Sequence, residues 1–249
     1  MARSIESGQL GGSVLSQQIA TDLLSEMRHG RFSAVPRLPA EVELAASLGL
    51  SRTVIRDALA ELEREGYVER VRGIGTVINR HVVGLTDRLD QKFEFNAMIR
   101  RDGHIPRADS VSIQREFADS HLAERLGVEP GQLVLSVRKR ILADDTPVLW
   151  SVDYLSAALF PPSEIDRLDF SKPIFEILSE TCNATINSTI GHVSAVIGDR
   201  GIREKLQVQD HEALLLLEEI GFSKLTKPIL YSLTYYTPFF DFSLLRKKV

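Results

Sequence analysis

LPAEVELAASLGLSRTVIRDALAELEREGYVERVRGIGTVI, from Leu38 to Ile78, decides how this chain is read. Glu41 to Leu48 fits a short helix with Leu44 and Leu48 inward, and Gly49 supplies a tight turn. Ser51 then caps a longer helix running to about Glu65, in which Ile55, Leu59 and Leu62 recur at helical spacing. Gly66 suits the residue just past its end. Tyr67 to Val71 and Thr76 to Asn79 are short β-rich pieces joined by Arg72-Gly73-Ile74-Gly75. Helix, turn, helix and glycine-tipped ribbon together are the layout of a winged helix-turn-helix. In that layout the start of the second helix enters a DNA major groove.

The residues at that helix start have the chemistry the groove requires. Arg52 and Arg56 can reach guanine O6 and N7 in bidentate fashion. Ser51 and Thr53 offer hydroxyls for phosphate contacts that set register. Helix N-terminal N–H groups add an anion-binding end. At the wing, Gly73 and Gly75 permit close backbone approach, with Arg72 and Thr76 beside them. The Gly73-Ile74-Gly75 pair lacks the third glycine and following helix of a dinucleotide loop, so that reading is rejected. A solvated mixed-charge face would account for the same charges if the segment were considered alone.

Residues 1–80 hold ten arginines and ten acidic residues, so a DNA-reading face must come from local concentration of charge. The whole chain of 249 residues has a formal net charge of −4, which argues against nonspecific nucleic-acid coating. Its 43% apolar and 26% charged content is that of a globular protein with room for two modest domains. A single cysteine, Cys182, excludes an internal disulfide and a cysteine-based zinc site and fits a reducing cytoplasm. Six scattered histidines show no metal-ligand spacing, and no Ser-His-Asp or Cys-His arrangement is suggested. No signal peptide and no membrane span are expected.

Upstream of the deciding stretch, Val14 to His29 has helical spacing and ends at Gly30. Downstream, residues 81–107 read as a linker with a short helix from Phe93 to Arg101. From there strands alternate with helices. Strands are expected over Val111–Phe117 and Ala184–Ile197. Hairpins are expected over Leu133–Leu142 with Pro147–Leu155, and over Leu214–Phe222 with Ile229–Tyr236. Helices are expected over Ser120–Leu126, Pro173–Cys182 and Arg200–Leu206. The fold class is therefore α+β, with an antiparallel sheet in the second domain. No internal repeat is evident. The expected domains are a winged helix-turn-helix over 10–80, the linker, and a second domain over 108–249.

LPAEVELA, LGLSRTVIRDAL, the Glu-Gly pair and RGIGT stand in order and at family spacing, and the first domain resembles the GntR family of bacterial transcription regulators. The resemblance implies DNA contacts at Arg52, Thr53, Arg56, Arg72 and Gly73. Val42 stands where the family usually has an arginine, and Ala40 where it commonly has a serine. HLAERLGVEPGQLVLSVRKRILADDTPVLWSVDYL and KPILYSLTYYTPFFDF resemble the UTRA effector domain of the HutC subfamily. That resemblance implies a small-molecule pocket, a homodimer, and a near-palindromic double-stranded operator. It implies no cofactor.

Arg138 and Arg140 lie two apart on one strand and so share a side, which suits a phosphate or carboxylate. An exposed strand with solvated charges fits the spacing equally. Tyr231 and Tyr236 fall where the resemblance places a pocket aromatic, and core packing fits them as well. Ser151 lies in the same hairpin, and Asp153 is either a ligand contact or a strand-end cap. Arg88 and Lys92 read as solvated surface. Carboxylates found in sugar-phosphate-binding relatives are absent from Val148–Val152 and Ile229–Ser232, which points to a less hydroxylated anion. The reading is a ligand-responsive repressor, released by a small anionic metabolite. The UTRA fold also resembles chorismate pyruvate-lyase, so a lyase-like enzyme is one alternative, and a ligand-free DNA-binding protein another.

Overall fold

The computed structural model describes residues 12–91, 94–224 and 226–247. Lys92 and the start of the expected Phe93 helix lie outside the described residues. The chain divides into two compact units. One contains the described residues up to Arg88 together with Ser243 to Lys247, and the other runs from Leu89 to Phe242. The boundaries differ from the expected ones at two places. Residues 89–107 join the second unit rather than forming a free linker, and the C-terminal residues return to the first.

In the first unit, α1 (Gly12–His29), α2 (Glu41–Leu48) and α3 (Arg52–Arg64) precede the antiparallel ribbon β1 (Val68–Val71) and β2 (Gly75–Ile78). A short helix α4 (Arg80–Val83), absent from the sequence reading, follows with Asn79 accepting at its N-terminus. Ile19, Leu23 and Met27 of α1 meet Leu44 of α2 and Ile55, Leu59 and Leu62 of α3 in one buried cluster. The turn between α2 and α3 rests on Gly49, whose φ of 67° is left-handed backbone that glycine adopts without a Cβ penalty. Leu245 packs against the same cluster, and Lys247 Nζ donates to the carbonyls of Glu63 (3.1 Å) and Arg64 (2.7 Å). Those carbonyls are at the C-terminus of α3, where a cation is favoured.

Two-residue strands β3 (Asp87–Arg88) and β10 (Phe242–Ser243) fall at the unit boundaries. The second unit opens with α5 (Phe95–Arg101) and is built on β4 (Pro106–Phe117), β5 (Leu133–Ala143), β6 (Thr146–Ser156), β7 (Ser188–Val196), β8 (Leu214–Phe222) and β9 (Pro228–Tyr236). These form one six-stranded antiparallel sheet in the order β4-β5-β6-β9-β8-β7. Helix α6 (Ser120–Leu126) connects β4 to β5, α8 (Arg200–Leu206) connects β7 to β8, and α7 (Ile174–Thr181) lies between β6 and β7. Strand β7 starts later than the expected Ala184. Asn183 takes a φ of 47°, and Ala184 and Ile186 pack on the α7 cluster before pairing begins.

The sheet order exposes an internal repeat that the sequence reading denied. Strand, helix and hairpin over 106–156 recur over 188–236 about an axis between β6 and β9. Asp119 and Asp199 cap the equivalent helices α6 and α8 by accepting from Leu122 and Ile202 N–H. Gly127 (φ 60°) and Gln207 (φ 56°) end them in the same left-handed turn. Pro147-Val-Leu-Trp-Ser-Val-Asp-Tyr of β6 answers Pro228-Ile-Leu-Tyr-Ser-Leu-Thr-Tyr of β9.

Strand alternation sends successive side chains to opposite sheet faces. On one face Val134, Trp150, Tyr231 and Leu214 are covered by α6 and α8. On the other, Leu135, Val137, Leu155 and Leu230 pack with α7, while Ile141 and Leu149 pack with Met98 and Ile99 of α5 and with Phe240.

Candidate nucleic-acid interface and effector site

Ser51 accepts from Val54 N–H at 3.3 Å and caps α3, as its sequence position requires. Arg52 and Thr53 follow as the first helical residues and are exposed. Helix geometry leaves their N–H groups without intrahelical acceptors, free for a phosphate. Arg56, one turn on, is 60% exposed, and its 3.8 Å contact with Asp57 is a loose solvated pair. Arg72, Gly73 and Gly75 are exposed at the ribbon tip. Both glycines have positive φ (79° and 103°) and open space where a Cβ would stand. Thr76 departs from the expectation: it is buried, and its carbonyl accepts from Leu38 N–H. Val42, in the place of the family arginine, is exposed and apolar.

Most of the other described arginines of this unit have structural work. Arg80 donates to the carbonyls of Met27, Phe32 and Val35, and Arg28 to those of Val83 and Leu85. Arg37 ties the ribbon tip through Ile74 O. Arg70 grips Glu63, whose carboxyl is held below its usual range chiefly by that hydrogen bond. Arg64 pairs with Glu61 and Glu65, Arg31 with Glu26, and Arg88 donates to Glu65 O. Arg52, Arg56 and Arg72 thus remain available to DNA at the helix start and ribbon tip, and the exposed Arg246 of the C-terminal return is the other arginine of the unit with no structural role among the described residues.

In the second unit the six expected ligand residues do not come together. Arg138 and Arg140 share a face, as their spacing demands, with Tyr231 also on that side. Ser151, Asp153 and Tyr236 lie on the opposite face. Arg140 is held by Asp109 through two 2.7 Å hydrogen bonds and donates to Lys205 O, and Arg138 donates to Gln114. Tyr231 donates to Glu218 at 3.1 Å beside Arg125 and His121, and burial with that donation pushes its phenol up to about 12. Tyr236 packs edge-on against Phe240 and Phe242. A single site therefore cannot contain all six.

Lys139, between the two arginines, is a candidate that the sequence did not single out. It is fully buried on the Ser151–Asp153 face. Its Nζ donates to the carbonyls of Lys172 (2.7 Å) and Phe170 (3.4 Å) and sits 5.8 Å from the Phe95 ring centroid. Burial pushes its ammonium below the usual lysine range, while Asp153, Glu94 and Asp169 pull it back. Beside it Asp153 accepts from Ser151 (3.0 Å) and Ser232 (2.8 Å), and Ser232 meets Thr234 at 3.3 Å. Lys139, Ser151, Asp153, Ser232 and Thr234 make a buried polar stripe between two apolar clusters. Ser171, Lys172 and Glu94, with Arg100, Arg107 and Glu176, wall a polar cleft of about 420 Å³. The signal for Lys139 lay in its parity with the apolar Val137 and Ile141. Among the described residues no cluster of His, Cys, Asp or Glu could hold a metal.

The comparisons agree with this architecture. Residues 101–238 match the UTRA domain, and residues 15–78 match the bacterial regulatory proteins of the gntR family. The chain belongs to the UTRA-domain branch of the GntR family, which are ligand-responsive transcriptional regulators and not enzymes. It is similar to the uncharacterized HTH-type transcriptional regulator YurK of Bacillus subtilis, with 24% identity over 87% of both chains. It is similar also to the histidine utilization repressor of Pseudomonas aeruginosa, at 27% identity over 86% of this chain and 85% of that protein. The solved structure of the possible transcriptional regulator YydK from Bacillus subtilis has the same fold, with a TM-score of 0.73 at 16% identity, covering 94% of this chain and 99% of that one.

Proposed function

We propose that this chain is a homodimeric repressor of the bacterial cytoplasm. It binds a near-palindromic operator through Arg52, Arg56 and Arg72 and is released when a small anionic metabolite reaches Lys139. The observation that carries the reading is the buried Lys139 on a polar stripe. A lysine sunk among apolar clusters costs stability that an apolar residue would not. Such groups concentrate where a ligand is bound. Its present acceptors are backbone carbonyls, and an anion is a stronger acceptor for an ammonium. Effector binding shifts the population toward a geometry in which two reading heads no longer match the half-site spacing.

Fluorescence anisotropy with the promoter upstream of its own gene tests the reading. Binding is expected to be saturable, salt-sensitive and two chains per site, and to be reversed by a carboxylated or phosphorylated metabolite. Binding with no salt dependence, or one chain per site, contradicts it.

A further inference from the structure

The charges around Lys139 restrict the effector more tightly than "anionic", on the reading that the stripe is the effector site. Lys139 is the sole cation of the described stripe. Asp153 is 3% exposed on the neighbouring strand, one diagonal step away. Each of its two oxygens accepts one hydroxyl, from Ser151 and Ser232. Carboxylate oxygens have further lone pairs, so Asp153 is fixed in place and still able to accept. Under the internal two-fold, Ser151 corresponds to Ser232 and Lys139 to Glu219. Glu219 pairs in register with Ser232 and so adds a second carboxylate to the same face. Opposite it stands Gly191, where a Cβ would press on Glu219 Cγ at 3.3 Å. The stripe is therefore polarised, with a cation at one end and carboxylates at the centre and the far end.

An anion taking Lys139 leaves Asp153 as an uncompensated buried charge, which is costly in a site walled by apolar clusters. A ligand that brings its own cation removes that cost. We infer that the effector is a zwitterion, whose carboxylate, or equivalent oxyanion, accepts from Lys139 and whose protonated nitrogen donates to Asp153. Taking Lys139 also withdraws the donor from the carbonyls of Phe170 and Lys172, which lead into α7. Ligand occupancy and the seating of that loop are thereby linked.

The test is a thermal-shift series on the full chain with length-matched probes. The zwitterions are β-alanine, γ-aminobutyrate and δ-aminovalerate. Malonate, succinate and glutarate are the matched dianions, propylamine and butylamine the cations, and glucose 6-phosphate the sugar anion. At least one zwitterion is expected to raise Tm by several degrees and to release operator DNA, with the single-sign probes inactive. Asp153→Asn should abolish the preference for the active zwitterion over its length-matched dianion, and Lys139→Met should abolish binding of that zwitterion. Circular dichroism confirms that each variant is folded, and Ser232→Ala provides a milder loosening of Asp153. Stabilisation by a dianion or glucose 6-phosphate that depends on Lys139 but not on Asp153 overturns the zwitterion and leaves the anionic effector standing. No shift and no operator release by any probe overturns both.

Discussion

Arg140 and Asp109 bind each other across neighbouring strands through two hydrogen bonds of 2.7 Å, Nε to Oδ1 and Nη2 to Oδ2. The pair sits where β4 bulges away from β5, between Asp109 and Ser112. Side-chain exposures of 19% and 28% make it half-buried, so removing one partner strands the other. A strand arginine that reads as a ligand contact in sequence is thus a fastener in the fold. Arg140→Ala is expected to destabilise the second unit by about 1–3 kcal/mol without changing the effector response. Urea titration and operator release measure the two effects separately.

The same pair gives a pH signature. The Arg140 hydrogen bond holds the Asp109 carboxyl below its usual range, and burial opposes this more weakly. A carboxyl depressed in the folded state contributes stability that is present above its unfolded pKa, about 3.9, and lost as pH falls through its folded pKa. The stability gap between the natural chain and Asp109→Asn should be constant at neutral pH and close progressively below about pH 4. A gap that widens on acidification would contradict the assignment.

Lys139→Met separates ligand binding from DNA binding. The substitution removes a buried ammonium and keeps the volume, but leaves two carbonyl oxygens without their donor. The gain from the first and the loss of roughly 1–3 kcal/mol from the second oppose each other, so stability should change little. Operator affinity should be unchanged and release by any effector lost. A variant still released by its metabolite shows that the site is elsewhere.

The reading helix, its cap and the glycine-tipped wing were legible because their signals are local. Ser51, the Ile55-Leu59-Leu62 spacing, Gly49 and Gly66 each act within a turn or two of chain. The proposed effector site was not, because its signals are long-range. Ser232 and Asp153 meet only through strand pairing, and Asp109 reaches Arg140 the same way. Lysine is so seldom fully buried that residue type argues against the true location of Lys139. The repeat was hidden where it diverged most: Gly127 became Gln207, and Lys139 became Glu219. Its retained features, the Asp119 and Asp199 caps and the Pro147 and Pro228 strand starts, are commonplace one at a time.

At the DNA face, Arg52→Ala should cost about 1–3 kcal/mol of specific binding, roughly five- to 150-fold, with the thermal midpoint unchanged because Arg52 is exposed. Arg72→Ala should weaken all sequences alike and lower the salt slope by about 1, as loss of a phosphate contact does. Anisotropy on specific and scrambled duplexes across a salt series distinguishes them. Equal losses on both duplexes for Arg52→Ala would contradict its place as a base reader.

The C-terminal return onto α3 can be tested against its own geometry. Ending the chain at Ser243 removes Leu245 from the core and Lys247 from the last carbonyls of the reading helix. A cation at a helix C-terminus contributes about 0.3–1 kcal/mol, and a half-buried leucine roughly another 1 kcal/mol. Hydrogen exchange of the α3 amides should therefore quicken in the shortened chain. Gly66 supplies the internal control. Its φ of 84° strains any side chain, and an added Cβ would also meet Leu245 Cδ2 at 2.7 Å. Gly66→Ala should cost more in the full chain than in the shortened one, since the shortened chain keeps the strain but loses the clash. Equal costs in the two backgrounds would mean that the tail does not hold this position in solution.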